Sequence, residues 1–220
     1  NGYHVTPGGG FGKDGAPPRL DVLERAWFDK WLKGIDNGID RYGPVTMSQQ
    51  GGGWITDDQF PRAGASYERM YLNSAPSGTA AHASYDGSLT NDPPSAAARL
   101  TVAPGLRGFC SGDGTQGTAG ISVVLGATCS KDSRFQEAEG LTFTGEAVTE
   151  PTSLSGPINV HLETVLDATD GFWAATVNDV APDGTSTPIT NGALTASLRA
   201  VDDSKSTRSA NGDYSEPHHY

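Results

Sequence analysis

The chain has 220 residues, enough for one or two domains with a real hydrophobic core. Its formal net charge of -11 at pH 7 argues against nucleic acid and anionic membranes as partners, because both bind through clustered lysines and arginines. The 29 glycines and 14 prolines, together with aromatic and β-branched residues along the whole length, favour a folded, mainly β protein over a disordered one. No apolar run approaches the roughly 20 residues of a membrane-spanning helix.

The first predicted element is a helix from about Asp21 to Lys33, which Gly34 ends. The apolar residues that share one stripe at helical spacing are Leu20, Leu23, Trp27 and Trp31. Two tryptophans on one stripe predict a buried helix, yet the first forty residues contain no sheet to bury it. The helix is therefore expected to pack against a partner or against chain upstream of residue 1.

The two ends of the sequence indicate a fragment or a processed product. The chain begins Asn1-Gly2-Tyr3-His4, without an initiator methionine or a signal segment, and it breaks off at SEPHHY. We therefore expect further chain on the N-terminal side and a truncated last domain.

Alternating apolar and polar residues between turn signals predict a series of short strands along the rest of the chain. In chain order they cover residues 44–50, 66–72, 82–85, 96–102, 121–125, 141–145, 147–149, 155–166, 172–180, 187–189 and 193–200. Residues 155–166 alternate most clearly, and Ala181-Pro182-Asp183-Gly184 predicts a hairpin after residue 180. Strands of this number and spacing predict a β-sandwich or jelly roll from about residue 64 onward.

The two cysteines, Cys110 and Cys129, bracket a glycine-rich loop and a predicted strand. A disulfide between them would close a loop of about twenty residues and stabilise the fold by roughly 3 kcal/mol. The alternative is two unrelated buried thiols. The even cysteine count and the acidic composition favour an exported, extracellular protein.

The common catalytic and cofactor motifs are absent from the sequence, so it predicts no metal and no organic cofactor. Gly112, Gly114 and Gly117 match a dinucleotide fingerprint in letters only, and we interpret them as a loop. The adjacent His218 and His219 lack a third ligand at useful spacing. The aspartates that lack the ligand spacing of a calcium loop, and are expected to be turn carboxylates, are Asp167, Asp170, Asp179 and Asp183.

His4 is the candidate catalytic residue. A histidine with an ordinary pKa of about 6.5 can accept a proton from a hydroxyl nucleophile and return it to a leaving group. By itself a lone histidine does not make a triad, and a surface or hydrogen-bonded histidine is the alternative. His82 and His161 are not expected to have a functional role.

The sequence resembles the X-Pro dipeptidyl-peptidase and cocaine-esterase-like serine hydrolases over most of its length. The runs that carry the resemblance are ERAWFDKWLKGIDNG, PVTMSQQGGGW, SYERMYLNS and the stretch from LTFTGEAVTE to NGALTASLR. In that family an α/β-hydrolase domain ends in a catalytic histidine, a loop and a helix of the FFDRWLKG type, and a jelly-roll domain of galactose-binding-like shape follows. The resemblance implies that residues 1–63 are the end of the hydrolase domain with a connector, and that residues 64–220 are the jelly roll.

The same resemblance implies a role for His4 as the triad base, with the serine and the aspartate upstream of this chain. The family has a Gly-Pro-Trp-x-His context where this sequence has Asn1-Gly2-Tyr3-His4, and the segment from Cys110 to Cys129 resembles a lineage-specific insertion. The implied reaction is acyl transfer on a small-molecule ester or peptide, with the upstream hydrolase domain as the partner. This chain alone is then expected to be inactive.

Two other functions are compatible with the sequence. One is a free-standing carbohydrate- or ligand-binding sandwich, and the other is a structural or adhesion domain of an exported protein. Within the hydrolase interpretation the choice between peptidase and esterase stays open, because the nucleophile and the acyl pocket are not in this sequence.

Overall fold

The structure is a computed structural model that describes residues 10–49, 51–107 and 131–220. These residues are mainly β, with few helices and several small sheets. They divide into two compact units, one made of the described residues up to Ala65 with Leu154–Gly156, the other of those in Ser66–Ser153 and Pro157–Tyr220. In the described ranges, no helix is both long and apolar enough to cross a membrane.

The first unit begins with the predicted helix, α1, which runs from Leu20 to Lys33. Gly34 ends it in the left-handed conformation with φ of 70°, where a side chain would be strained, and its N–H donates to the Lys30 carbonyl at 2.9 Å. Ile35 N–H closes the same turn on Asp29 at 3.1 Å. A short 3-10 helix, Ile39–Tyr42, follows. The predicted helix is thus confirmed, to within one residue at its start.

A two-stranded antiparallel hairpin completes the first unit. It consists of β1 (Val45–Ser48) and β2 (Trp54–Asp57), in a register that pairs Ser48 with Trp54. The strand predicted at 44–50 is confirmed as β1. Strand β2 was not predicted, because its four residues are too few for alternation to be a signal.

The second unit contains a three-stranded sheet in the order β3-β4-β5, made of Tyr71–Asn73, Tyr85–Thr90 and Leu141–Thr144. Strand β4 is antiparallel to β3 and parallel to β5. A single-turn helix, α2 (Arg134–Glu137), precedes β5. Gly87 pairs with Phe143 in the middle of the sheet and is buried.

Two hairpins form the rest of the second unit. In the first, β6 (Phe172–Val180) pairs with β7 (Ser186–Thr195) around a turn in which Gly184 N–H donates to the Ala181 carbonyl at 2.8 Å. This hairpin confirms the turn prediction, and β6 has the predicted bounds. The strands predicted separately at 187–189 and 193–200 are wrong in their bounds: Asn191 and Gly192 also pair with β6, so one strand runs to Thr195, and Ala196–Leu198 form a 3-10 helix. The second hairpin joins β8 (Thr207–Arg208) and β9 (Tyr214–Glu216).

Several predicted strands differ in the structure. Residues 96–102, 147–149 and 155–166 form no strand, the strand at 66–72 shortens to β3, and the one at 82–85 shifts to β4. In 155–166 the Asn159 amide donates to the Tyr214 and Ser215 carbonyls at 2.9 and 2.7 Å, so a side chain makes the contact that a backbone ladder would make. The strand predicted at 121–125 lies outside the described residues. The separate small sheets are consistent with a β-sandwich, while the jelly-roll order and the α/β-hydrolase end remain predictions.

Candidate functional site

The site residues predicted from the sequence lie outside the described part of the chain. These are His4, Cys110 and Cys129, and the glycine motif at 112–117 lies outside it as well. The catalytic role of His4 and the disulfide therefore stay predictions. The described structure begins at Gly10, six positions after His4, with the segment that leads to α1.

The apolar stripe of α1 is exposed in this chain at Trp27 and Trp31, whereas Leu20 and Leu23 at its start are half-buried. The large exposed side chains on this side of α1 are Trp27, Phe28, Trp31 and Leu32, which are 55% to 75% exposed, and Ile35 just after the helix is 48% exposed. The two indole rings lie 5.6 Å apart and tilted, so they form one continuous surface. This exposure agrees with the prediction that the first forty residues do not bury the helix, and its packing against a partner or against upstream chain stays a prediction. A contiguous aromatic surface of this kind is typical of a contact with another protein surface.

The polar side of α1 is bonded to the residues that follow it. The Asn37 side-chain amide donates to the Ala26 carbonyl at 2.7 Å, and Lys30 forms an ion pair with Asp40. Ala26 and Lys30 lie on the side of the helix away from Phe28 and Leu32, given 100° per residue. These two contacts hold the helix against the residues that follow it, and the Lys30 ammonium also lies 5.6 Å from the centroid of the Trp31 ring.

Charge pairs along α1 add to its local stability. Asp29 lies between Arg25 and Lys33, both one turn away, and the Lys33 ammonium lies 2.6 Å from its carboxylate. The hydrogen bond from Lys33 lowers the pKa of Asp29 below its ordinary value. The Asp29 carboxylate is thus paired within the helix.

The segment before α1 packs on the first hairpin. The Phe11 ring lies 5.0 Å from the Trp54 ring with a tilt of 55°, and a Cβ on Gly10 would lie 3.3 Å from Trp54 Cζ2. Gly12 N–H donates to the Pro17 carbonyl at 2.8 Å and closes the loop. Gly12 has φ of 73°, and a Cβ there would lie 2.5 Å from Arg19 Cγ, so only glycine fits. The loop is anchored at both ends, on Trp54 and at the start of α1.

A polar cluster lies in the second unit, around the mostly buried Glu137. Its Oε1 accepts hydrogen bonds from Ser186 Oγ and, at 3.1 Å, from Asn178 Nδ2, and its Oε2 is paired with His82 Nε2. Because the carboxylate stands between the serine and the histidine, His82 is not placed to take the Ser186 proton. The cluster therefore does not have the order of a hydrolytic triad, in which the histidine is in the middle.

The neighbouring ion pair of Asp132 and Arg134 belongs to the same region. Arg134 donates to both oxygens of Asp132, and Ser186 N–H donates to Asp132 Oδ1 at 3.3 Å. These bonds, the side-chain ones of Arg134 first, lower the pKa of Asp132 to about 2. Ser186 itself is 1% exposed. The region is a partly buried structural junction, since the donors and acceptors described above bond to one another.

Two of the aspartates considered for calcium, Asp170 and Asp183, hold turns, whereas the turn role predicted for Asp179 is wrong because Asp179 pairs with Thr187 inside β6. Asp170 Oδ1 accepts from Gly171 N–H and Ser197 N–H at 2.8 and 2.9 Å, and Asp183 Oδ1 accepts from Thr185 N–H at 2.9 Å. Within 10–49, 51–107 and 131–220, no group of three or more histidine, cysteine, aspartate or glutamate side chains could hold a metal ion. Sequence reasoning predicted turn roles for both residues, and the structure confirms them.

An open cavity of about 260 Å³ lies beside β4 and is lined by Ser84, residues 101–105 and Glu139. The Glu139 carboxylate at its edge accepts from the Arg107 backbone N–H at 3.0 Å and is paired with the guanidinium of the same residue. The negative charge of Glu139, which faces this cavity, is therefore already paired with Arg107. The cavity has no unpaired charged side chain among its described lining residues that could bind a substrate.

Comparison with known proteins identifies the family. The family model of the X-Pro dipeptidyl-peptidase C-terminal non-catalytic domain matches residues 37–217. The match begins within the turn that follows α1, so the helix and the segment before it lie on its N-terminal side. No curated protein and no solved structure matches the chain. Since the match covers most of the chain, this protein belongs to the family of the X-Pro dipeptidyl-peptidase C-terminal non-catalytic domain.

Proposed function

We propose that this chain is the end of a serine hydrolase in which a catalytic α/β-hydrolase domain precedes the non-catalytic domain in the same polypeptide. The observation that carries the proposal is the family match, whose description names a C-terminal domain of X-Pro dipeptidyl-peptidases that is itself non-catalytic. Such a domain has a catalytic domain before it. Residues 1–36 precede the match and contain both His4 and α1.

In this proposal the apolar stripe of α1 packs on the catalytic domain. The two tryptophans of the stripe are exposed in this chain, the opposite side of the helix is bonded to the first residues of the matched domain, and the helix stands where a preceding domain would join. Each tryptophan would bury on the order of 100 Å² more, which favours association by roughly 2–3 kcal/mol per side chain. The surface on which the stripe packs is the sheet of the hydrolase domain, because an amphipathic helix buries its apolar side against the apolar face of a sheet.

His4 acts as the general base in this proposal. It accepts the proton of a serine hydroxyl that attacks an ester or peptide carbonyl, backbone N–H groups hold the oxyanion, and water then hydrolyses the acyl-enzyme. The serine and the aspartate belong to the catalytic domain, so the 220 residues alone are inactive. This chemistry requires neither a metal nor an organic cofactor. A peptide with proline in its second position is the first substrate to test, and a simple ester is the second.

Labelling of the native source with a fluorophosphonate probe tests the proposal. A labelled band well above 22.9 kDa that contains peptides of this chain is expected. In that polypeptide His4→Ala should abolish labelling, because an unactivated serine reacts poorly with the probe. The control is His161→Ala, which removes a histidine of the matched domain and should leave labelling unchanged.

An unlabelled native product of about the mass of this chain would refute the proposal. It would favour a ligand-binding sandwich without catalytic activity. Labelling that persists in the His4→Ala variant would remove His4 from the catalytic machinery while leaving a serine hydrolase in place.

A further inference from the structure

Asparagine is followed by glycine at three places in the described part of the chain, which are Asn37-Gly38, Asn191-Gly192 and Asn211-Gly212. In such a pair the backbone nitrogen of the glycine can attack the side-chain amide of the asparagine, because glycine has no side chain that shields its nitrogen. We propose that Asn37 is a site of spontaneous deamidation in the folded protein, and that its conversion releases the end of α1 from the turn that follows. This inference goes beyond the proposed function and does not depend on it.

The reacting groups of Asn37 and Gly38 are available to each other. Among the described residues, the Gly38 N–H makes one long contact, with Asp36 Oδ1 at 3.4 Å. Asn37 Oδ1 accepts a hydrogen bond from the Ile39 N–H at 3.2 Å, which draws electrons from Cγ and makes that carbon a better electrophile. The nucleophile is therefore nearly free, and the carbonyl that it attacks is polarised.

The reaction consumes only water. The nitrogen of Gly38 forms a bond with Cγ of Asn37, and its proton passes to the Asp36 carboxylate or to water. The Cγ–Nδ2 bond then breaks, and the side-chain nitrogen takes up a proton in return and leaves as ammonia. Water opens the resulting succinimide at either carbonyl and yields aspartate or isoaspartate. The bond from Asn37 Nδ2 to the Ala26 carbonyl is exposed, so water can replace it as the nitrogen leaves.

The other two pairs are held by their backbone. In the turn of the β8–β9 hairpin, Gly212 N–H donates to the Ser209 carbonyl at 2.9 Å. Asn191 and Gly192 lie inside β7, where both pair with β6. At both places backbone pairing must open before the glycine nitrogen can reach the side chain. Because one ordinary hydrogen bond lowers the open population by about that factor, Asn37 should react at least about fivefold faster than either.

Conversion of Asn37 removes a donor that holds α1. The Asn37 amide donates to the Ala26 carbonyl at 2.7 Å, and a carboxylate has no N–H with which to replace that bond. The product also adds a negative charge to a loop that already contains Asp36 and Asp40, and Asp40 is the partner of Lys30 on the helix. The last turn of α1 should therefore open more often after deamidation.

Peptide mapping of the intact 220-residue chain, incubated at mildly alkaline pH, compares the three sites in one sample. The tryptic peptide 34–41 should show conversion of Asn37 at least about fivefold faster than that of Asn191 or Asn211, and a sample digested without incubation gives the background. In urea, where the chain is unfolded, the three rates should become similar. Conversion of Asn37 in the folded protein no faster than that of the other two, or the same ranking in urea, would overturn the assignment of the site.

A substitution tests the consequence separately from the reaction. Asn37→Asp introduces the product carboxylate directly, and hydrogen exchange of the backbone amides near the end of α1 should become about fivefold faster, as expected for loss of one hydrogen bond.

Asn211→Asp is the matched control for this substitution. The Asn211 side chain accepts from the Asp213 N–H at 3.1 Å, and a carboxylate keeps that acceptor, so exchange in the β8–β9 hairpin should stay unchanged. If Asn37→Asp exchanges at the wild-type rate, the release of α1 is refuted, whereas the mapping result alone decides whether Asn37 is the site.

Discussion

Replacement of Gly87 by alanine tests the three-stranded sheet of the second unit at its most crowded point. Gly87 lies in β4, the central strand, between β3 and β5. A Cβ at this position would lie 2.6 and 2.8 Å from two atoms of the Phe143 ring and 2.8 Å from the backbone oxygen of Asn73. The ring can rotate, but the Asn73 oxygen can retreat only if the pairing of β3 with β4 is loosened.

The magnitude follows from these distances. Overpacking of a well-packed site costs about 1–3 kcal/mol, and the contact with backbone places Gly87→Ala in the upper part of that range. Replacement of glycine also reduces the conformational entropy of the unfolded chain, which stabilises the folded state by about 0.4–1 kcal/mol. The net expectation is a loss of about 2 kcal/mol in the free energy of unfolding.

Urea denaturation at neutral pH measures this loss as a lower midpoint with an unchanged slope. Gly192→Ala is the matched control, because Gly192 also lies in a strand and a Cβ there would meet nothing within 4 Å. That variant should equal the wild type or exceed it by up to about 1 kcal/mol. Equal stability of Gly87→Ala and wild type would mean that Phe143 does not lie over β4, and the parallel pairing of β4 with β5 would then be wrong.

Two further measurements test the helix and the acid stability. Trp31→Ala should lower the free energy of unfolding by less than about 1 kcal/mol in the 220-residue chain, where Trp31 is 62% exposed. In the longer polypeptide, where Trp31 is proposed to be buried, the same change should lower it by about 3–5 kcal/mol. Equal losses in urea denaturation of the two proteins would contradict the packing of α1 on the catalytic domain. The pKa of Asp132 is about 2 against an ordinary 3.8, so its pair with Arg134 stabilises the folded state above pH 3.8 and this contribution disappears as pH falls toward 2. Asp132→Asn should therefore lower the free energy of unfolding by about 1–2 kcal/mol at neutral pH, a figure that allows for the partial exposure of Arg134. The difference in stability between the variant and the wild type should vanish at the acid end of a pH series.

The elements that the sequence predicted correctly are those whose signals are local. Helix α1 follows from a 3.6-residue stripe and a glycine stop, and the β6–β7 hairpin follows from two apolar runs around Pro182-Asp183-Gly184. The family could also be predicted, because its signature runs are continuous in the sequence. The strand at 155–166 was predicted on the same kind of alternation, and it is absent because alternation determines which side chains share a face but does not supply a neighbouring strand.

The polar cluster around Glu137 depends on pairings that no local signal marks. Glu137 bonds to residues 55, 49 and 41 positions away, His82, Ser186 and Asn178, each of which is unremarkable in its own segment. Phe11 and Trp54 are likewise separated by a helix and a strand. By itself the sequence determined the helix, the long hairpin and the family, since backbone periodicity and turn chemistry act over a few residues. Only the tertiary structure decided which strand lies beside which, that Trp27 and Trp31 of α1 are exposed and that Phe11 packs on Trp54, because these depend on contacts between distant parts of the chain.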